Sequence, residues 1–214
     1  MAYVPVPKDL TAVKSKVFLN LTKRQLICFG GGALIGVPLF FLLKQHISTS
    51  AAALCMIFVM LPCFLLAMYA LTLYGKVSYF WGGKSLVLGW DSRWGQLRQV
   101  TAAGSSTTGT YRPYGLDCSG FVDWAFYNAT GGSYIIGHGG GATMQHSYCT
   151  DISWQDARPG DLVFYPDNSH VGIICGRDET GNLLVIHCAS GANNVVITGT
   201  SGFVSVARPE YYGE

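Results

Sequence analysis

A thiol and an imidazole can together open an amide bond, and this chain places both where local structure could bring them together. Cys118 follows Asp117 and begins a run in which Cys118, Phe121, Val122, Ala125 and Ala129 recur at spacings of three and four, closed by Gly131-Gly132. That spacing predicts an amphipathic helix over 118–129 capped by Asp117. The thiol then lies at the helix N-terminus, where unpaired N–H groups and the macrodipole favour negative charge, so a lowered thiol pKa is expected. A thiolate in that position is a nucleophile for acyl transfer. The plainer alternative is a small buried residue on a helix face.

An attacking thiol needs a base, and two histidines fall beside neighbouring strands. Residues 171–175 and 183–188 are short, rich in Val and Ile, and bounded by turn formers. A four-residue hairpin loop over 178–181 sets Arg177 opposite Asn182 and His170 opposite Ala189. His187 is then the diagonal neighbour of His170 on one face, roughly 7 to 8 Å away. The other face carries Val171, Ile173, Cys175, Leu184, Ile186 and Cys188, all apolar or thiol. A loop one residue longer or shorter would divide the histidines between the two faces.

Positioning these groups requires the rest of the soluble half. Residues 162–165, 195–198 and 204–207 also read as short strands, so a helix is followed by an antiparallel meander, an α+β arrangement. Between Gly83 and Asp117 lies a Gly-, Ser- and Thr-rich stretch containing Trp90, Trp94, Tyr111 and Tyr114. Loops this long are uncommon unless functional, and we read this one as a substrate-side flap.

The charge pattern divides the chain. Of 214 residues half are hydrophobic and the net charge is only +2, with a mean hydropathy of +0.30. No charged residue occurs over 25–43 or 45–75, while charges are spread from Lys76 onward. The runs 26–43 and 51–73 are therefore expected to be transmembrane helices. A signal peptide would have a shorter apolar core, and Lys8, Lys14, Lys16, Lys23 and Arg24 precede this one. The domains expected are a polar arm over 1–25, a membrane segment over 26–74 and a soluble domain over 75–214. A charge this small, with no Lys/Arg cluster interleaved with aromatics, gives no reason to expect nucleic acid as a partner. His138, His146 and Cys149 match no common zinc spacing, so no metal is expected. Membrane lipid is the expected surroundings of the apolar runs.

Two resemblances sharpen this reading. Asp117-Cys118-Ser119-Gly120-Phe121-Val122 is preceded by Tyr79-Phe80-Trp81-Gly82-Gly83. It is followed by Arg158-Pro159-Gly160-Asp161-Leu162-Val163-Phe164, then His170-Val171-Gly172-Ile173, then Ile186-His187-Cys188-Ala189. In this order the runs resemble the NlpC-type family of papain-like cell-wall cysteine peptidases. The resemblance implies a helix carrying the nucleophile packed on an antiparallel sheet, with Cys118 as nucleophile, His170 as base and His187 holding its ring. It further implies that Tyr79 joins the Cys118 N–H in binding the oxyanion; packing beside Trp81 is the alternative for Tyr79. Asp117 and Ser119 are expected to cap the helix and are candidates for contact with the free amine of a stem peptide. Trp81, together with Gln145 in the 141–145 segment, is a candidate to edge the cleft. The implied reaction is hydrolysis of a γ-D-glutamyl to diamino acid bond in peptidoglycan, without a cofactor. A non-catalytic wall-peptide binder and a papain-like amidase or acyltransferase are the alternatives.

The opening Ala2-Tyr3-Val4-Pro5-Val6-Pro7-Lys8-Asp9-Leu10 and the run Leu19-Asn20-Leu21-Thr22-Lys23-Arg24-Gln25 resemble the PrgI-like two-helix membrane proteins of Gram-positive conjugative elements. Conjugation machinery is the partner this implies, at a bacterial cell membrane. A wall hydrolase should face outward. The positive-inside rule, applied to two crossings, returns the catalytic domain to the cytoplasm, and Lys76, Lys84 and Arg93 agree with that placement.

Overall fold

A 24-residue helix without a charged side chain, Thr49–Thr72 (α1), leads into the soluble domain. The structure is a computed structural model that describes residues 40–42 and 47–212. The chain divides into two compact units, Met1–Met56 and Ile57–Glu214. The late turns of α1 are used by the second unit: Leu66 and Ala70, with Leu73 directly after the helix, are buried in its main core with Val77. The turns ahead of Leu66 amount to roughly 26 Å of helix at 1.5 Å per residue, short of the ~30 Å hydrocarbon core. Among the described residues no helix is long and apolar enough to cross a membrane. The end of the run expected as a span over 51–73 is committed to packing in the soluble domain's core. The arm over 1–25 and the run 26–43, apart from residues 40–42, lie outside the described residues.

The nucleophile helix, Cys118–Ala129 (α2), has the bounds its spacing predicts. Asp117 caps it in extended conformation, its Oδ1 accepting the Gly120 N–H at 2.6 Å. Its exit is marked by Gly131 and Gly132, both at positive φ. The amphipathic character does not persist in the fold, since Cys118 through Phe126 are all buried. One face packs on the sheet. The other is covered by Tyr69 from α1 and Trp94, both edge-on to Trp124, whose indole N–H donates to Gly89 O at 3.1 Å. Gly89 N–H in turn donates to Asn128 Oδ1.

The stretch expected as one long flap is thus two things. Residues 85–94 lie over α2, held there by buried Ser85, Asp91 and Trp94 and by the Gly89 bonds, with Leu86, Val87, Leu88 and Trp90 exposed. Beyond them a small hairpin, Leu97–Gln99 (β1) paired antiparallel with Tyr111–Pro113 (β2), stands out with both strands exposed.

The main sheet is antiparallel, with Cys149–Ile152 (β3), Leu162–Phe164 (β4), Val171–Arg177 (β5), Leu183–Ala189 (β6), Asn194–Thr198 (β7) and Ser205–Pro209 (β8) in the order β3-β8-β4-β5-β6-β7. The meander covers β4 to β7 only; β8 returns to the far side of β4, and β3 forms the edge. The core between α2 and the sheet holds Val171, Ile173, Cys175, Ile186 and Cys188, with Leu184 against it. The reverse face packs a smaller cluster around Val163, Ile174, Val185, Phe203 and Val206. The Arg-Pro-Gly-Asp run turns the chain into β4: buried Asp161 accepts from Arg158 N–H at 2.9 Å and pairs with Arg208 at 3.1 Å.

The β5–β6 hairpin departs from the predicted loop and still keeps its register. Arg177 pairs with Leu183 rather than Asn182, so the loop is one residue longer than predicted, and a bulge between Ile174 and Gly176 absorbs the extra residue. From Ile174↔Val185 and Ile173↔Ile186 onward the pairing is that of the shorter loop.

Candidate active site

The first turn of α2 is seated by glycines. A Cβ on Gly120 would lie 2.0 Å from Gly83 O, and one on Gly83 would lie 2.3 Å from Gly115 O. The Trp81-Gly82-Gly83 run therefore lies directly against the start of the helix, and Asp117 N–H donates to Gly83 O at 3.1 Å. This contact explains why both sequence runs carry glycine where they do. Beside it Tyr79 bridges to Leu116, bringing its ring alongside the nucleophile helix.

Cys118 is 7% exposed. Burial pushes its thiol up to about 11, the Asp117 carboxylate adds to the rise, and the N–H groups of Val171 and Ser119 with the Lys84 ammonium pull the other way. The lowered pKa expected from the helix N-terminus is not what results. Desolvation of a thiolate in this site outweighs the few N–H dipoles, and the capping carboxylate is itself an anion one residue away. Val171, whose N–H favours the thiolate, directly follows His170, so the sulfur faces the start of β5.

The two imidazoles meet. His170 Nε2 and His187 Nδ1 are 2.7 Å apart, and His187 Nε2 is 3.1 Å from Thr198 Oγ1. Thr198 donates its own hydroxyl proton to Gly199 O at 2.9 Å. That last bond sets the direction of the chain. With its proton used, Thr198 Oγ1 accepts from His187 Nε2–H. His187 Nδ1 then carries the lone pair that accepts from His170 Nε2–H, which leaves His170 Nδ1 unprotonated. Tyr165 and Phe203 pack edge-on at 4.9 Å from His170 and 5.5 Å from His187 respectively. Burial lowers both imidazoles to about 4, and for His170 the neighbouring ring adds to the fall.

Burial also pushes the Tyr79 phenol well above its ordinary range, with the Cys118, Asp117 and Cys188 charges next in importance. It remains an O–H donor at any pH the fold meets. Trp81 donates its indole N–H to Ala103 O at 2.8 Å, tying the outer loop to the site. Tyr79 and Trp81 together border a cavity of about 400 Å³.

Asp117, Ser119 and Gln145 are buried and turned inward. Ser119 Oγ donates to Asp117 Oδ1 at 3.0 Å, and Gln145 Nε2 donates to Ser119 O at 2.8 Å and Asp123 Oδ1 at 2.7 Å. The Lys84 ammonium donates to Asp117 Oδ1 at 3.2 Å, to Ser119 Oγ and to Gly140 O at 3.3 Å. A cation from this chain is thus bound to both Asp117 and Ser119, the two residues expected to be candidates for contact with a substrate amine. His146 bonds Asn168 and Asp151, both at 2.8 Å, and stacks on Phe164, while the Cys149 thiol donates to Gln145 O. The side chain of His138 lies outside the described residues.

Thr198 and Lys84 were missed by sequence reasoning, for different reasons. Thr198 was reachable: a four-residue loop over 190–193 pairs Ala189 with Asn194 and Val185 with Thr198, making Thr198 the diagonal neighbour of His187. Lys84 lies far in sequence from the carboxylates it serves, and no local pattern links them.

A helix bearing a buried cysteine, packed on an antiparallel sheet that presents paired histidines, defines a papain-like α+β protein. A model described as "NlpC/P60 family" matches residues 76–203, and the chain belongs to that family. A second model, "PrgI family protein", matches residues 5–81. Among curated relatives, a "Probable endopeptidase" of Mycobacterium tuberculosis is 41% identical over 69 residues, 30% of this chain and 16% of that protein. "Probable endopeptidase p60" of Listeria grayi is 41% identical over 76 residues, 34% of this chain and 14% of that protein. The matches thus span less than one-fifth of the length of either relative. Among solved structures, the peptidoglycan hydrolase RipB of Mycobacterium tuberculosis shares the fold at a TM-score of 0.52 and 22% identity, over 94% of this chain and 90% of that one. The P60 domain of an M. avium subspecies paratuberculosis antigen does so at 0.51 and 21%, over 71% and 96%.

Proposed function

We propose that the chain is a cysteine endopeptidase that hydrolyses peptidoglycan stem peptides at a γ-D-glutamyl to diamino acid bond. The observation that carries this is the directed chain Gly199–Thr198–His187–His170, which leaves the His170 Nδ1 lone pair as the base beside the strand that faces the Cys118 sulfur. Family membership and the names of the relatives supply the substrate class.

The resting pair is a neutral thiol and a neutral imidazole, since the thiol titrates near 11 and the ring near 4. The thiol proton passes to His170 Nδ1 as Sγ bonds to the scissile carbonyl carbon. The oxyanion accepts from the Cys118 N–H and the Tyr79 hydroxyl. His170 then protonates the departing amine, the C–N bond breaks, and water hydrolyses the thioester with His170 again as base. His187 holds the ring of His170, and Thr198 is a positioning residue acting through His187. Asp117, Ser119 and Gln145, offered by the sequence as substrate contacts, serve here to build the wall behind the nucleophile, while Trp81 edges the cleft. The proposed domains are 1–25, 26–74 and 75–214, with the end of α1 shared by the last. The match to PrgI family proteins supports a membrane-associated, conjugation-linked setting.

The test is incubation of the full chain in detergent with purified muropeptides, beside Cys118→Ala. A new free amine on the diamino acid, seen only with the thiol intact, is the expected result. Release of the sugar from the peptide would indicate an amidase instead, and tight binding without products a non-catalytic receptor.

A further inference from the structure

Resting on the hydrolase reading above, we propose that the cavity between Tyr79, Trp81 and the β1–β2 hairpin is a subsite for a substrate carboxylate, read by Arg112. The cavity is walled by Tyr79 and Trp81 on one side, by Arg112 and the turn containing Ser105 on another, and by Ser190 and Asn193 from the β6–β7 loop. Arg112 is the only charged residue in that lining, and the side chains around it supply hydroxyl and amide groups. Such a lining suits an anion with two oxygens, which an arginine fork binds through two parallel N–H bonds.

The hairpin provides an independent observation. Arg98 and Arg112 are directly opposite one another in the β1–β2 register, an arrangement that disfavours like charges. Arg98 lies over the Tyr114 ring at 5.3 Å, and Arg93 of the same segment is paired with Asp91. Among the described residues neither Arg98 nor Arg112 has a carboxylate partner. Arg112 spends only its Nε–H, on Thr110 Oγ1 at 3.3 Å, leaving both terminal nitrogens unspent. The hairpin is pinned by Trp81 to Ala103 O, Gln99 to Gly109 O and Tyr114 to Lys84 O. A fixed, uncompensated positive pair beside the cleft is a local conflict of the kind that marks a functional surface.

The chemistry of the proposed substrate names the anion. A γ-linked glutamyl residue is cleaved at its side-chain carbonyl, so its α-carboxylate is free and three carbons away, about 5 Å by ordinary bond lengths. Tyr79 borders both the nucleophile and the cavity, so a carbonyl at Cys118 sets that carboxylate toward Arg112.

The experiment uses the full chain in detergent and two synthetic L-alanyl-γ-D-glutamyl peptides, one with a free α-carboxylate and one with the carboxamide, each made with lysine and with diaminopimelate. Wild type is expected to favour the carboxylate form by tenfold or more in kcat/KM. Arg112→Gln should remove that preference by slowing the carboxylate peptide alone, Arg112→Lys should keep part of it, and the unfolding midpoint should be unchanged. Equal slowing of both peptides by Arg112→Gln, or equal wild-type rates, overturns the proposal. If no peptide is cleaved the hydrolase reading fails, and binding to Cys118→Ala then decides the subsite: equal affinity for acid and amide overturns it.

Discussion

The rings of Tyr165 and Phe203 pack against half-buried His170 and buried His187, and two testable consequences follow at the scale of the single residue. Both imidazoles titrate near 4 in the fold and near 6.5 when unfolded. The unfolded chain therefore binds more protons between those values, and stability falls as pH is lowered from about 6.5 toward 4. Urea midpoints at pH 7 and pH 5 should show the loss. The acid limb of kcat/KM should likewise fall near 4, and a limb at 6.5 would mean that the rings are not desolvated in solution. Thr198→Val keeps the shape of the side chain but removes the acceptor that fixes the His187 tautomer. Activity should drop on the order of tenfold or more, shift in its pH dependence, and return with Thr198→Ser. For the thiol, Asp117→Asn retains a capping acceptor and removes the anion that raises Cys118. The pH dependence of thiol alkylation should move to lower values.

At the scale of elements, legibility followed locality. The bounds of α2 could be read because its cap and its glycine stop lie within a turn of its ends, and β4 to β8 were each found within two residues. Strand β3 was missed because Cys-Thr-Asp-Ile is only four residues long with Ile152 its one strongly apolar side chain and its middle pair exposed, and β1–β2 because its strands are only three residues long. The sign of the Cys118 shift was unreadable, since it depends on how deeply the tertiary fold buries the sulfur. The β5–β6 hairpin shows the converse case, a wrong loop length with the histidines nonetheless joined. Because the Gly176 bulge takes up the surplus residue, deleting one residue from the 178–182 loop is expected to cost little activity. The strand can straighten its bulge and keep Ile173 opposite Ile186, whereas a one-residue deletion between Val171 and Ile173 should abolish turnover. Comparing the two deletions by activity and circular dichroism tests this.

For the molecule as a whole, the core of the soluble domain also draws on residues ahead of the boundary that the charge pattern suggests. A fragment begun at Val77 loses Leu66, Ala70 and Leu73 from the core, at several kcal/mol for the buried leucines. It is expected to show lost near-ultraviolet dichroism and a non-cooperative melt, while a fragment begun at Ile57 melts cooperatively. The aromatic contact of Tyr69 with Trp124 makes the same point from the side of α2. Such an anchor has no slack. Only Tyr74, Gly75 and Lys76 separate Leu73, the core residue directly after the helix, from Val77, so a pull on the stem is felt by the scaffold under the sulfur and is not taken up by a tether. A protease working near that junction could not set free an active enzyme; it would end the activity in the same cut.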